Sequence, residues 1–174
     1  MTKDRRSGQA YAGSALILFL KNLLFTVLVP GTVAVLLPWR LASARLASRP
    51  LTVTDWLPAA PAFLAGASIY FWCLWDFGRT GRGTPAPIDP PKTLVVRGLY
   101  RYVRNPMYVG VLLVIAGWAL LSRSRDVMLY GIAVALAFHL FVMLVEEPIL
   151  RSKFGESYNA YCRTVSRWWP SFRP

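Results

Sequence analysis

The apolar positions of this 174-residue chain fall into four blocks that are separated by polar or charged stretches. These blocks are residues 14–37, 57–77, 107–121 and 127–145. A helix that crosses the roughly 30 Å hydrocarbon core of a bilayer needs about 20 apolar residues. The pattern therefore predicts an all-α integral membrane protein with about four transmembrane helices. The third block has 15 residues, which is short for a full crossing unless residues 100–103 extend it or the rest of the protein partly shields it from lipid.

Two stretches interrupt this pattern. Residues 78–91 (GRTGRGTPAPIDPP) form a glycine- and proline-rich segment that cannot stay helical for long, so we predict a loop there. Residues 149–165 carry apolar or aromatic side chains at helical spacings of 4, 4, 3 and 4. We predict a C-terminal amphipathic helix that lies on the membrane surface or packs beneath the bundle, although Gly155 weakens it.

The chain is hydrophobic and basic at once, with 55% hydrophobic residues, a mean hydropathy of +0.41 and a net charge of +12. In a soluble protein this charge would indicate nucleic-acid binding. Here the basic residues lie between apolar blocks, so the predicted partners are anionic membrane lipids and not nucleic acid. Nothing in the sequence indicates an obligate protein partner.

The distribution of basic residues also predicts an orientation. If the N-terminus is inside, fourteen lysines and arginines fall in inner segments and five in outer loops. The positive-inside rule then places both termini in the cytoplasm. The first apolar run is too long for the core of a signal peptide, so we interpret it as a retained span. Cys73 and Cys162 are unsuited to a disulfide, and no metal-binding spacing occurs.

One candidate site is the sequence RGLYRYVRNPMYVG at residues 97–110, where the inner loop meets the third block. Pro106 suits the first position of a helix, whose free backbone N–H groups could bind an anion together with Arg101 and Arg104. The alternative is that the arginines are membrane anchors and the tyrosines an aromatic belt, and charge alone favours this alternative.

A second candidate site is the pair Glu146 and Glu147 at the inner end of the fourth block. Carboxylates close to hydrocarbon are costly, so they have cationic partners or a cationic ligand, unless the helix simply emerges into water there. The regular helical period places His139 on the face of Glu146. An interhelical hydrogen bond is favoured over direct catalysis for His139, while Lys21 could snorkel or pair with Asp76.

Together, these two clusters resemble the isoprenylcysteine carboxyl methyltransferase and phospholipid methyltransferase superfamily of membrane enzymes. The shared pattern is Gly-x-Tyr-x-x-x-Arg-His/Asn-Pro-x-Tyr-x-Gly, then an apolar stretch, then Glu-Glu and an aromatic, basic tail. The resemblance covers roughly residues 78–170. The matching residues are Gly98, Tyr100, Arg104, Asn105, Pro106, Tyr108, Gly110, Glu146 and Glu147, followed in the tail by Phe154, Gly155, Tyr158, Tyr161, Val165, Arg167, Trp168 and Pro170.

The resemblance implies a methyltransferase that uses S-adenosyl-L-methionine without a Rossmann domain. One domain, 1–174, would comprise N-terminal spans in 1–77 and a cofactor-binding and catalytic part in 78–174. The implied catalytic residues are Arg104, Glu146 and Glu147. The implied cofactor-binding residues are Tyr100, Arg104, Asn105, Pro106, Tyr108, Gly110, Glu146, Glu147, Arg167 and Trp168.

The resemblance also bears on the substrate and the location. The acceptor would be lipophilic and enter from the bilayer, as an isoprenylcysteine-like carboxylate, another prenylated substrate, a lipid or a thiol. Classical prenyl-protein enzymes have histidine where this chain has Asn105, and the asparagine form resembles bacterial relatives. This implies a bacterial inner membrane with a cytoplasmic site. The alternatives are an NADPH-dependent membrane reductase of similar architecture and a non-enzymatic transporter or scaffold.

Overall fold

A computed structural model of the chain describes residues 20, 23–48, 50–77 and 93–171. Within these residues the fold is helical and contains no β-strand, which confirms the all-α prediction. Three helices, Leu23–Ala47, Val53–Asp76 and Arg125–Phe154, are long and apolar enough to cross a membrane, whereas the helix Pro106–Ser122 has 17 residues and is shorter. Four full crossings therefore stay a prediction. The helices are α1 (Leu23–Ala47), α2 (Val53–Asp76), α3 (Pro106–Ser122), α4 (Arg125–Phe154) and α5 (Glu156–Thr164).

Several sequence predictions concern residues outside the described part of the chain. These are the N-terminal basic cluster, the start of the first block, Lys21, the loop at 78–91, and the basic residues Arg49, Arg79, Arg82, Lys92 and Arg173.

Two predicted helix ends were wrong, at residues 37 and 145, because both helices continue through a proline. α1 continues to Ala47 past Pro38, and α4 continues to Phe154 past Pro148. One residue separates each proline from a preceding π-turn, Thr32–Leu36 or Val142–Glu146, in which the helix is widened. A helical proline collides with the carbonyl four residues earlier and cannot donate a hydrogen bond to it. In each π-turn a backbone N–H donates to the carbonyl five residues earlier, from Leu37 to Thr32 and from Glu147 to Val142, and the carbonyls opposite the two prolines lie inside these widened turns.

Helices α2 and α3 pack closely at two glycines. A Cβ atom on Gly66 would lie 2.6 Å from the carbonyl oxygen of Gly110, and a Cβ on Gly110 would lie 2.8 Å from the carbonyl oxygen of Gly66. Small residues allow helix backbones to approach in this way. α1 is linked to α2 by a hydrogen bond of 2.9 Å between Thr26 Oγ1 and Tyr70 Oη. This packing fixes the first turns of α3.

The predicted amphipathic helix at 149–165 is divided in two at Gly155. Gly155 has φ +53 and ends α4, and α5 then begins at Glu156. The positive φ explains the break, because glycine adopts this conformation at little cost. In α5, Tyr158 and Tyr161 are buried, and with Val165 they form a small core. The segment therefore packs against the rest of the protein.

Candidate functional site

The loop that leads into α3 is held against the end of α2. Gly98 opens a 3-10 turn, Gly98–Arg101, with φ +52, and a Cβ on it would overlap the carboxylate of Asp76. Both facts require glycine at this position. The Tyr161 hydroxyl donates a 2.6 Å hydrogen bond to the carbonyl of Tyr100. Burial raises the pKa of Tyr161, so this hydroxyl keeps its proton.

The C-terminal residues 165–171, which we call the tail strap, lie along this loop. The Arg104 N–H donates to the carbonyl of Ser166 at 2.9 Å, and the Ser171 N–H donates to the carbonyl of Tyr102 at 2.7 Å. The Asn105 side chain donates to the carbonyl of Arg167 at 3.2 Å. Asn105 thus uses its amide N–H₂ group to hold the strap beside the start of α3.

Glu147 is surrounded by guanidinium groups. Arg167 Nε donates to Glu147 Oε1 at 2.6 Å and Arg167 Nη2 to Oε2 at 3.1 Å, which is a two-pronged contact. Arg104 Nη1 lies 3.1 Å from Glu147 Oε1, and Arg151 Nη2 lies 3.3 Å from Glu147 Oε2. Glu147 is only 4% exposed, so its charge is compensated by protein groups and not by water. The hydrogen bonds to Glu147 raise the pKa of Arg167.

Glu146 has a different environment from Glu147. It accepts a 2.8 Å hydrogen bond from the Tyr108 hydroxyl on α3. Among the described residues no lysine or arginine forms an ion pair with it. Glu146 is therefore a partly buried carboxylate whose protein partner is neutral.

Aromatic side chains surround this carboxylate. The ring of Tyr108 lies 4.7 Å from that of Phe138 and 6.4 Å from that of Trp168, centroid to centroid. The Trp168 indole N–H donates to His139 Nδ1 at 3.0 Å. The strap thus places an indole ring beside α3 and α4.

The π-turn of α4 determines which side chain faces which neighbour. His139 and Glu147 contact consecutive strap residues, Trp168 and Arg167, while Glu146 turns towards Tyr108. A regular helix aligns positions seven residues apart, as we predicted for His139 and Glu146. The widened turn accommodates an extra residue, so the two positions that face the strap, 139 and 147, are eight positions apart and not seven.

Arg104 keeps one donor unused. Its Nη1 contacts Glu147 and also donates to Cys162 Sγ at 2.7 Å, but its buried Nε has no hydrogen-bond partner in the described part of the chain. Buried donors rarely stay unsatisfied, and each one points to an unseen partner. An anionic ligand group beside Arg104 would satisfy this donor.

Most of the predicted site residues meet at this place. Arg104, Asn105, Tyr108, Glu146, Glu147, Arg167 and Trp168 are linked by the contacts above. Pro106 is the buried first residue of α3, and Tyr100 is buried against Phe77 with ring centroids 5.6 Å apart. Gly110 faces the backbone of Gly66 in the helix crossing. The cofactor-binding roles of these residues stay predictions.

Sequence reasoning missed two members of the site, Arg151 and Cys162. Arg151 follows Glu147 by one helical turn, a spacing that could have indicated the ion pair. Cys162 carries no such signal, because its contact with Arg104 depends on how α5 folds back beneath the bundle.

Comparison with known proteins places this arrangement in a family. Residues 56–157 match the family model for phospholipid methyltransferases. The match covers more than half of the chain, so the chain belongs to this family. With its apolar helices, the chain is an integral membrane protein of a methyltransferase family. Arg104, Glu146 and Glu147 lie inside the matched region, whereas the tail strap lies beyond it.

A relative in Haemophilus influenzae is described only as an uncharacterized protein. It is 36% identical over 62 residues, which are 36% of this chain and 98% of that protein. No solved structure is significantly similar to this chain.

Proposed function

We propose that this protein is an S-adenosyl-L-methionine-dependent methyltransferase that methylates a lipophilic acceptor at the cytoplasmic side of the membrane. The proposal rests on one observation above the others. The start of α3 brings together two groups that lack partners among the described residues. The buried Arg104 Nε–H has no acceptor there, and the Glu146 carboxylate accepts its one hydrogen bond there from a tyrosine. This cofactor carries a carboxylate, an ammonium and a sulfonium, which are the groups that such a site would bind.

The contacts favour different roles for the two glutamates. Three arginines already compensate Glu147, so we assign it the role of fixing the tail strap and Arg104. Glu146 has no cationic partner among the described residues, and we assign it to the positive groups of the cofactor. Arg104 Nε is the donor for the cofactor carboxylate.

The other residues of the site would orient the reactants and exclude water. When bound, the cofactor supplies a methyl group that is activated by the positive charge on its sulfur. Tyr108, Phe138 and Trp168 form apolar walls beside Glu146, which suits a displacement that depends on alignment and desolvation. A carboxylate or thiolate acceptor needs no base. An amine or thiol acceptor would lose a proton, and Glu146 is the carboxylate available to take it.

A lipophilic acceptor fits the surface next to the site. Leu140 and Leu144 are 45% and 69% exposed on α4, within two turns of Glu146. Such exposed leucines on an apolar helix indicate contact with lipid. An acceptor dissolved in the bilayer could therefore reach the site without crossing water.

Calorimetric titration of the detergent-purified protein with S-adenosyl-L-methionine, and separately with NADPH, tests this proposal. We expect saturable binding of S-adenosyl-L-methionine and none of NADPH. A folded sample that binds only NADPH would instead identify a reductase. If S-adenosyl-L-methionine binds, transfer of a labelled methyl group to prenyl-cysteine, lipid or thiol acceptors then identifies the substrate class.

The Glu146→Gln and Glu147→Gln variants test the assignment of the two carboxylates. Losing a charged contact to a ligand costs about 1.5–3 kcal/mol, so Glu146→Gln should weaken cofactor binding about 10- to 100-fold. It should leave hydrogen exchange of the tail strap unchanged. Glu147→Gln should speed exchange in the strap, because Arg167 loses its anionic partner.

Glu156→Gln is the matched control. Its side chain is 73% exposed and pairs with Arg163, so this variant should change neither cofactor binding nor strap exchange. The two roles would be reversed by the following result: Glu146→Gln binds the cofactor normally, and Glu147→Gln loses cofactor binding while hydrogen exchange of its strap stays normal.

A further inference from the structure

The hydrogen bond between Trp168 and His139 determines the tautomer of the imidazole, that is, which ring nitrogen carries the hydrogen. An indole N–H can only donate, so His139 Nδ1, at 3.0 Å, must be the acceptor. The neutral ring then carries its hydrogen on Nε2. One nitrogen is engaged and the other is protonated, so this histidine has no free lone pair with which to accept a proton.

We infer that His139 is a positioning residue that holds the indole of Trp168 against the site, and not a general base. This inference rests on the proposed function. The ring centroid of Trp168 lies 6.4 Å from that of Tyr108, and the Tyr108 hydroxyl donates a hydrogen bond to Glu146. The position of the indole therefore defines one wall of the site. A fixed wall limits the poses available to bound reactants.

The neighbouring contacts explain why the hydrogen bond is needed. The strap backbone is held at Tyr102 and Arg104, and the Arg167 side chain is held at Glu147. None of these bonds fixes the rotamer of Trp168. The His139 bond does so, and the π-turn of α4 brings His139 and Glu147 to the same strap.

Two substitutions at His139 separate positioning from proton transfer. Asparagine retains a side-chain acceptor near the place of Nδ1 but does not titrate near neutral pH, whereas leucine has no acceptor. We expect His139→Asn to bind S-adenosyl-L-methionine and transfer methyl groups within about 2-fold of the wild type. His139→Leu should weaken binding about 5-fold, the loss expected for one neutral hydrogen bond.

Trp168→Phe removes the donor from the other side and keeps an aromatic ring. It should weaken binding to the same extent as His139→Leu, and the double variant should be no worse than either single variant, because all three lack the same bond. Hydrogen exchange of the strap amides should be faster in His139→Leu and Trp168→Phe, and unchanged in His139→Asn.

A specific result would overturn the inference. If His139→Asn were as inactive in methyl transfer as His139→Leu while its strap exchange stayed normal, His139 would be a base. Wild-type strap exchange in both His139→Leu and Trp168→Phe would also overturn it. The exchange measurements need no cofactor, so they decide the role of His139 even if the wild-type protein binds no S-adenosyl-L-methionine and the proposed function fails.

Discussion

The most deeply buried carboxylate of the described residues, that of Asp55, lies at the opposite end of the helices from the candidate site. The Asp55 side chain is completely buried near the start of α2, where it forms a capping box with Thr52. It also pairs with Arg123, which is 63% exposed, at 3.1 Å. Asp55 thus caps its own helix and ties it to the turn between α3 and α4.

Asp55→Ala should therefore destabilise the protein more than Arg123→Gln. The aspartate variant loses the helix cap and leaves other polar groups unpaired, for an expected loss of about 2–4 kcal/mol in the free energy of unfolding. The arginine variant loses an exposed ion-pair partner, for about 1 kcal/mol. Denaturant unfolding in detergent measures both values. Equal losses would show that the ion pair, and not the cap, carries the contribution of Asp55.

At the scale of helices, the crossing of α2 and α3 depends on the absence of side chains. A Cβ on Gly66 would lie 2.6 Å from the carbonyl oxygen of Gly110 and 2.8 Å from the amide nitrogen of Val114. These are rigid backbone atoms, so the helices would have to separate. α3 begins at Pro106, directly after the loop that carries Arg104, and a displaced α3 would disturb the site as well.

We expect Gly66→Ala to lower the free energy of unfolding by about 1–3 kcal/mol, as overpacking does, and to weaken S-adenosyl-L-methionine binding. Gly131→Ala is the matched control on α4, because among the described residues its Cβ would meet only the Ile115 side chain, at 3.2 Å. That variant should stay within about 1 kcal/mol of the wild type, since alanine favours helix. Unfolding in detergent compares the two. A Gly66→Ala variant as stable as Gly131→Ala would contradict the close crossing.

The extent of the helices was harder to predict than their existence. The apolar blocks correctly indicated the helices, because lipid-facing segments must be apolar along their length. The predicted ends at residues 37 and 145 were wrong, because both helices continue through a proline, a residue that usually ends a helix. In both cases a π-turn of five residues before the proline preserves the helix. No residue pattern before Pro148 predicted that turn. The different directions in which the Glu146 and Glu147 side chains point could therefore not be predicted either.

At the scale of the whole molecule, the motif residues could be predicted from the sequence, but their pairing could not. Arg104, Asn105 and Tyr108 are close in sequence, and so their clustering follows from one helix start. Their partners come from α4 and the tail strap, up to 62 residues away. Such contacts depend on the fold of α5, which Gly155 turns beneath the bundle. The tail strap was therefore known only as an aromatic, basic sequence.

Charged side chains cluster at both ends of α4. The candidate site and its arginines lie at the C-terminal end of α4, and Asp55, Arg123 and Arg125 lie at the other. The excess of basic residues in the predicted inner segments favours a cytoplasmic position for the site. A water-soluble cofactor made in the cytoplasm would then have direct access to it.

Single cysteines at the two ends of α4 test this orientation. Arg125 and Ser152 are both exposed and take no part in the candidate site, so Arg125→Cys and Ser152→Cys should fold normally. In spheroplasts of a bacterial expression host, a membrane-impermeant maleimide should label the thiol at 125 directly and the thiol at 152 only after permeabilisation. Mass spectrometry separates these sites from Cys73, which is fully buried, and from Cys162. The reverse pattern would place the site outside the cell and separate it from cytoplasmic cofactor, whereas direct labelling of both thiols would show that α4 does not span the membrane.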